Sequence, residues 1–385
     1  MRWRRRAAVL VGVPTLLLAA GYVGGHDYVR GAAFVVRAAG MHGVARTAAD
    51  WEARAVTETP LTIPSRAGAL PARQYLPKGG TARVFLLVPG VHASGVEEPR
   101  LISFARDLAS MGHPVVTVGP PDLARYSISP QVTDAIEDAA VWLSQQQRLA
   151  PDGRIGMMGI SFAGGLSIVA AGRPTLRGRV AEVLSLGGHG DLPRTLRYLC
   201  TGIEPDGGRR PPHDYGVVII LLGVVDKVVP ASQVPALRDA LLTFLEASRL
   251  DLVDRARSAA EFEHARALGA ALPEPSRTMM RYVNERDVTH LGPLLLPHVA
   301  SLGGDPALSP ALSSPPAAAV FLLHGSDDNV IPAAETTALA RTLHERGVET
   351  HALVTPLITH AEVDRAANAR DAWALVGFWT DVLSR

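Results

Sequence analysis

Cysteine, lysine and excess charge of either sign are scarce in this sequence of 385 residues. The single cysteine, Cys200, excludes an intrachain disulfide and any cysteine-rich metal site, and we expect it to pack as a small apolar side chain. Lysine occurs only at Lys78 and Lys227, which we interpret as codon bias. The formal net charge is +1 with acids and bases mixed, so no basic stripe indicates a nucleic-acid partner.

Metal-binding motifs such as H-E-x-x-H or paired C-x-x-C are also missing from the sequence. These motifs supply ligands at the spacing that a bound ion requires. The sequence therefore predicts no metal and no cofactor. Its length allows one large domain with an insertion or two ordinary domains.

A basic and then apolar stretch opens the chain. The start MRWRRR precedes the apolar run 7–23, the pattern of a signal peptide or membrane anchor. The arginines predict a cytoplasmic start, and a poor cleavage site after Gly21 favours an uncleaved anchor over residues 1–25. The following domain is then expected outside the cytoplasm, or secreted if the segment is cleaved. Residues 26–56 contain Ala, Val and Arg at helical spacing and predict a juxtamembrane helix or linker.

The most informative stretch is residues 154–165, RIGMMGISFAGG. Its apolar first half predicts a β-strand and its end predicts a helix, with Ser161 in the turn between them. A serine displayed on such a turn has a strained backbone, so its neighbours two residues away must be small, as Gly159 and Ala163 are. The N–H groups at the start of the helix suit a developing oxyanion. We predict that Ser161 is a nucleophile.

This stretch resembles the G-x-S-x-G nucleophile elbow of the α/β-hydrolase superfamily. Ala163 replaces the last glycine and is followed by Gly164 and Gly165, a pair also found in branches similar to dienelactone hydrolases and prolyl-oligopeptidase-type peptidases. The resemblance implies an α/β-hydrolase fold with a mostly parallel sheet flanked by helices. An ordinary small-residue turn after a strand has a similar composition, so the neighbouring motifs matter.

A second loop, PGVHASG, begins at Pro89 after the apolar run 84–88. In the superfamily, this loop supplies a backbone N–H group to the oxyanion hole, commonly from the residue after a His-Gly pair. Pro89 stands in the histidine position, so the resemblance implies Val91 as the donor and His92 as the alternative. The second implied donor is the N–H group of Phe162. An ordinary glycine-rich turn is the simpler interpretation of this loop.

Strand and helix patterns alternate over residues 57–190, which we interpret as the first part of the core. Two short antiparallel edge strands are predicted within 61–76, further strands at 84–88, 114–118, 154–160 and 180–186, and helices at 101–111 and 131–149. The alternation stops over residues 191–316, where helical segments at 236–247, 250–272 and 289–299 are separated by proline-rich joints.

We interpret residues 191–316 as a helical cap over Ser161, inserted into a core that resumes at 317–385. Apolar and aromatic side chains of this segment can line a substrate pocket, although packing inside the cap is the simpler role for each. They are Phe244, Leu245, Phe262, Met279, Met280 and Tyr282.

The third motif, HGSDDNVIP, follows the apolar run 319–323. It is similar to the superfamily acid loop H-G-x-x-D-x-x-V-P, which implies Asp328 as the acid and Asp327 as a solvated neighbour. After a predicted helix at 336–346 and strand at 351–354, His360 lies where the family places its base. The order Ser161, Asp328, His360 is the order of this fold.

Two other aspartates compete with Asp328. Asp226 lies in GVVDKVVP and becomes the acid if residues 217–222 form a strand, although the same run also suits a buried helix. Asp191 follows an earlier strand and is the third choice.

The resemblance implies a serine hydrolase acting on a small-molecule ester or acyl compound. His360 takes the proton of Ser161 as the serine attacks a carbonyl carbon, and Asp328 orients the imidazole. A carboxylic ester hydrolase is the leading prediction. Peptidases, thioesterases and acyltransferases use the same triad, and a catalytically silent hydrolase-fold envelope protein is the alternative from another class. The sequence does not indicate the oligomeric state.

Overall fold

The computed structural model describes residues 25–79, 82–251, 253–358 and 368–385. Its sheet consists of β1 Val56–Ser65, β2 Gly68–Pro77, β3 Phe85–Val88, β4 Val115–Val118, β5 Ile155–Ile160, β6 Val180–Leu186, β7 Ala319–Gly325 and β8 Thr350–Thr355. The predicted anchor (residues 1–24 of 1–25) and His360 lie outside the described residues.

The eight strands lie in the order β1-β2-β4-β3-β5-β6-β7-β8. Strand β2 pairs antiparallel with both β1 and β4, and every other neighbouring pair is parallel. This sheet, mostly parallel with one reversed strand, confirms the predicted α/β architecture with a mostly parallel sheet. Because β3, β5, β6, β7 and β8 run in the same direction, the loops after them meet at one edge, which we call the carboxyl edge.

Helices cover both faces of the sheet. They are α1 (residues 25–38), α2 Val44–Glu52, α3 Pro99–Ser110, α4 Pro121–Ala124, α5 Pro130–Ser144, α6 Phe162–Ala171, α14 Ala333–Glu345 and α15 Ala369–Leu383. Helices α5, α6 and α14 contribute to one apolar cluster and α1, α3 and α15 to another. The central strands β3 and β4 are fully buried, which explains their uninterrupted apolar sequences.

Helix α1 packs on the core. The ring of Phe34 in α1 lies 4.4 Å from that of Trp379 in α15, centroid to centroid. Gly31 permits this approach, because a Cβ atom at that position would lie 2.4 Å from the hydroxyl of Thr380. Within the described ranges, no helix combines the length and apolar character needed to cross a bilayer.

The two strands predicted at the edge are longer than predicted, and only β1 is an edge strand, because β2 pairs with both β1 and β4. Strands β1 and β2 form a hairpin of two ten-residue strands, with Pro71 inside β2. The proline is tolerated because pairing with β4 begins only at Ala72, so its missing N–H group costs no bond to that strand.

A helical cap separates β6 from β7. It contains α7 Leu192–Thr201, α8 Asp214–Val228, α9 Val234–Leu250, α10 Arg255–Ala271, α11 Ser276–Asn284, α12 Val288–Leu295 and α13 Val299–Gly303. The aromatic residues considered as pocket-lining pack inside the cap, as Phe244 does against Phe262 with ring centroids 5.3 Å apart. The possible strand at 217–222 is part of α8, a helix buried on most sides.

Candidate active site

Ser161 lies on the turn that joins β5 to α6. Its φ and ψ angles are 56° and −134°, a region that L-residues other than glycine seldom occupy. Its N–H group donates to the carbonyl of Leu186 at 2.8 Å, which fixes the turn to strand β6. The side chain is 8% exposed, and the first turn of α6 begins directly behind it.

Small residues around Ser161 are a steric requirement. A Cβ atom on Gly159 would lie 2.2 Å from the carbonyl oxygen of Ala163. A Cβ atom on Gly164 would lie 2.3 Å from the Ser185 hydroxyl, and one on Gly165 would lie 2.6 Å from the His189 ring. The loop after β6 therefore explains the glycine pair that follows Ala163.

The loop after β3 lies against the same turn. A Cβ atom on Gly90 would stand 3.2 Å from the Cβ of Ser161, so glycine allows the main chain to approach the serine closely. Val91 follows directly and is partly buried. Phe162 is the first residue of α6, where backbone N–H groups have no partner within their own helix. Gly90, which precedes Val91, and Phe162 thus adjoin Ser161, and the donor roles of Val91 and Phe162 stay predictions.

The imidazole of His92 is engaged within its own loop, whereas the alternative oxyanion donor is the backbone N–H group of this residue, whose role stays a prediction. Its Nδ1 atom accepts a hydrogen bond from the backbone N–H of Ser94 at 3.2 Å. Burial lowers the pKa of the His92 imidazole, with the carboxylate of Glu98 opposing this effect. The ring is therefore neutral at pH 7.

Asp328 lies in the loop after β7, at the same carboxyl edge. It is 1% exposed, and its Oδ1 atom accepts from the N–H groups of Val330 at 2.8 Å and Ile331 at 2.9 Å. Its Oδ2 atom lies 3.2 Å from Nε2 of His324. His324 is fully buried, and its Nε2 also lies 2.8 Å from the Ile331 carbonyl, so this nitrogen carries hydrogen and braces the loop.

The competing acids occupy other places. Asp226 is exposed on helix α8 within the cap, so the alternative that required a strand there is wrong. Asp191 is the N-cap of α7, where its side chain accepts from the N–H group of Arg194 at 2.9 Å. Asp327 is exposed, as predicted, and pairs with Arg210 of the cap at 3.4 Å.

The predicted base, His360, lies outside the described residues, which stop at Ile358 before resuming at Asn368. Strand β8 ends at Thr355, at the same carboxyl edge as Ser161 and Asp328. The assignment of His360 as the base therefore stays a prediction.

The cap contacts the loop of Asp328 and the segment after α4, and sequence patterns indicated neither contact. The carbonyl of Asn329, next to Asp328, accepts from the His213 N–H at 2.8 Å and from the Tyr198 hydroxyl at 3.2 Å. The ring of Tyr215 meets that of Tyr126 edge to face, with centroids 6.2 Å apart. These contacts join residues far apart in the chain, and no local motif marks them.

The arrangement supports nucleophilic chemistry at Ser161. Among the described residues, no group of three or more His, Cys, Asp or Glu is placed to hold a metal ion. Cys200 is buried, and burial raises the pKa of its thiol to about 12, so it remains protonated. Ser161 lies in the turn of a strand-turn-helix unit, and the buried carboxylate of Asp328 lies at the same edge of the sheet.

Solved structures with this architecture include two esterases and a peptidase. An acylaminoacyl peptidase is 14% identical with a TM-score of 0.48, covering 86% of this chain and 41% of its own. A hyperthermophilic esterase from Pyrobaculum calidifontis is 17% identical with a TM-score of 0.46, covering 86% and 87%. A thermophilic carboxylesterase from a metagenomic library is 14% identical with a TM-score of 0.45, covering 86% and 90%.

This chain thus spans less than half the length of that peptidase. No protein-family model matches the sequence, and no curated protein matches it. The chemistry is therefore judged from the residues of the site.

Proposed function

We propose that this protein is a serine hydrolase that cleaves carboxylic esters through an acyl-serine at Ser161. The observation that carries the proposal is the conformation of Ser161, with φ at 56° between a buried strand and the start of a helix. Such strain persists only where the surrounding structure imposes it, and it concentrates at functional sites.

In the proposed mechanism, His360 takes the Ser161 proton while the serine oxygen forms a bond to the ester carbonyl carbon. The carbonyl oxygen becomes an oxyanion, and the N–H groups of Val91 and Phe162 donate to it. Collapse expels the alcohol, which receives the proton from His360. Water then repeats the sequence to release the acid, while Asp328 holds the imidazole in the required tautomer.

The burial of the site supports a small substrate. Ser161 is nearly covered, and the cap contacts both the segment after α4 and the loop after β7. A peptidase, thioesterase or acyltransferase would use the same residues, so substrate trials must compare these classes directly.

The decisive experiment compares Ser161→Ala with Ser167→Ala in p-nitrophenyl ester hydrolysis. Ser167 lies in the same helix, is fully buried, and its hydroxyl has no hydrogen-bond partner among the described residues. We expect Ser161→Ala to abolish turnover and fluorophosphonate labelling, and Ser167→Ala to retain both. Labelling of a residue other than Ser161, or no labelling of the wild-type chain, would contradict the proposal and favour a silent envelope protein.

We further propose that the N-terminal segment anchors the protein in a membrane with the catalytic domain outside the cytoplasm. The basic start and the apolar run 7–23 support this, as does the position of α1. Arg30 of α1 donates to the Met111 carbonyl, close to where β4 begins, so this part of α1 lies at the edge opposite Ser161. The active site would then open away from the bilayer.

Membrane fractionation tests this second proposal. The full chain should remain with membranes after a carbonate wash, and deletion of residues 1–24 should release it. Recovery of the full chain in the soluble cytoplasmic fraction contradicts the anchor, and recovery in the medium indicates cleavage.

A further inference from the structure

Exposed apolar side chains concentrate in the first two helices. Among the described residues, twelve large apolar side chains are exposed, and five of them lie between residues 25 and 52. The two most exposed are Val44, at 87%, and Trp51, at 83%, both on helix α2. Single exposed apolar residues are ordinary on a protein surface, but a concentration of them marks an interaction site.

The apolar side chains of α2 form a stripe along one face of the helix. Val44, Ala48 and Trp51 are spaced by four and then three residues, which places them on the same side. All three are exposed, and so is Met41, three residues before α2 begins. Ala49 lies on another side of the helix and is buried in the core. We call Met41, Val44, Ala48 and Trp51 the outer stripe of α2.

The end of α2 lies beside the start of α1. The Nδ1 atom of His26, in the first turn of α1, is 3.8 Å from Oε2 of Glu52, the last residue of α2. The apolar run 7–23, which we propose as the membrane anchor, directly precedes α1 in the chain. Because Trp51 is next to Glu52, it lies near the point where the chain would leave the bilayer.

This end of α2 lies at the edge of the sheet opposite the candidate active site. The N–H group of Arg54, three residues after Trp51, donates to the Ser110 carbonyl at 2.8 Å, shortly before β4 begins. The Arg54 guanidinium donates to the Gly79 carbonyl at 2.6 Å, which brings it beside Lys78, and both basic residues are exposed. Basic side chains at this place suit the phosphates of lipid headgroups.

We propose that the outer stripe of α2 inserts into the surface of a lipid bilayer and turns the carboxyl edge, with Ser161, away from the membrane. This inference rests on the proposed membrane anchor. Tryptophan is favoured at the level of the headgroups, and an amphipathic helix there buries its apolar face about 5–10 Å deep. The exposed acid of α2, Asp50, pairs with Arg46 at 2.9 Å, which limits its repulsion from lipid phosphates.

The test places an NBD fluorophore on the outer stripe of the full chain, reconstituted into vesicles of phosphatidylcholine and phosphatidylglycerol. Ala48→Cys carries the probe, and Ala260→Cys is the matched control, because Ala260 is an exposed alanine of the cap helix α10. The native Cys200 is buried and burial raises the pKa of its thiol to about 12, so it should remain unlabelled.

Emission from position 48 should shift to the blue and be quenched by nitroxide-labelled lipid. Because insertion is shallow, a nitroxide near the headgroup end of the acyl chain should quench more than one near the terminal methyl group. Position 260 should show neither effect. Adding Val44→Ser and Trp51→Ser to Ala48→Cys should abolish the quenching, while the chain still floats with the vesicles through its anchor.

The outcomes separate this surface from the anchor. Equally weak quenching at positions 48 and 260 in a chain that floats with vesicles would overturn the inference and leave the anchor intact, as would quenching that persists in the serine variant. A chain that does not float would overturn both proposals.

A blue shift at position 48 without quenching would contradict the inference, because protein rather than lipid would then cover the stripe. Disulfide-linked dimers of unlabelled Ala48→Cys would in that case identify the cover as a second copy of this chain.

Discussion

The two edges of the sheet bury a carboxylate in opposite ways. At the carboxyl edge, Asp328 accepts two backbone N–H groups and lies 3.2 Å from His324. At the other edge, Glu182 near the start of β6 is 1% exposed, and its Oε1 atom has no hydrogen-bond partner among the described residues. The nearest cation, the Nε of Arg83, is 3.6 Å away and likewise lacks a hydrogen bond there.

This difference shows which edge is built to hold charge. A buried carboxylate is tolerated as an anion when donors replace its lost water, and otherwise it retains its proton. Burial raises the pKa of Glu182 to about 7, with the guanidinium of Arg83 opposing that rise. The carboxyl edge, by contrast, combines backbone donors with a strained serine, an arrangement suited to chemistry.

The largest expected effect is from Asp328→Asn. An amide cannot fix the imidazole tautomer that the proposed mechanism requires, so kcat should fall about 10⁴-fold. Asp226→Asn is the control, because Asp226 is exposed on α8, and it should retain full activity. Steady-state kinetics with a p-nitrophenyl ester measures both variants. A large loss in Asp226→Asn with an active Asp328→Asn would reverse the assignment of the acid.

The second prediction concerns stability at the elbow. In Gly159→Ala the new methyl group would lie 2.2 Å from the Ala163 carbonyl oxygen, so the turn must shift. We expect the free energy of unfolding to fall by about 3 kcal/mol or more. Gly377→Ala in α15 is the matched control, because a Cβ there meets no atom within 4 Å. That variant should be up to about 1 kcal/mol more stable than the wild type. Urea unfolding measures both, and equal stabilities would contradict the crowded elbow.

The third prediction tests the opposite edge by pH. Because the folded pKa of Glu182 lies above its ordinary value of 4.5, the folded state binds this proton more tightly than the unfolded chain. The contribution of this bound proton to the free energy of unfolding is complete below pH 4.5. It is lost as pH rises to about 7, which lowers the free energy of unfolding by about 3 kcal/mol. Glu182→Gln should remove this dependence of the free energy of unfolding on pH, and the variant should be more stable than the wild type at pH 8.

Glu349→Gln provides the control for that experiment. Hydrogen bonding to Arg385 lowers the pKa of Glu349 to about 2, so this group is ionised in the folded state throughout the window. The slope from pH 5 to 7 should persist in Glu349→Gln. An unchanged slope in Glu182→Gln would show that Glu182 is ionised in the folded protein.

Local patterns predicted the strands and the elbow, since a buried strand and a serine turn each leave a mark within about ten residues. The contact between Tyr126 and Tyr215 has no such local sequence pattern, because it depends on how the cap packs on the core. The α8 run was ambiguous for a related reason: an apolar stretch buried on most sides has no periodicity. Phe34 packs on Trp379 although the two residues are far apart in the chain, so no local sequence pattern predicts this contact.

The smallest expected effect separates strain from chemistry at Ser161. Ser161→Gly removes the Cβ atom that makes φ = 56° unfavourable, relieving about 1–2 kcal/mol. The greater conformational freedom of glycine in the unfolded chain offsets about 0.5–1 kcal/mol of this relief. The free energy of unfolding of the inactive variant should therefore rise by roughly 1 kcal/mol. Ser167→Gly, inside the helix that follows, has no strain to relieve and should lose about 1 kcal/mol. Urea midpoints of the two variants should therefore move in opposite directions, and a parallel loss would mean that the elbow holds its serine without measurable strain.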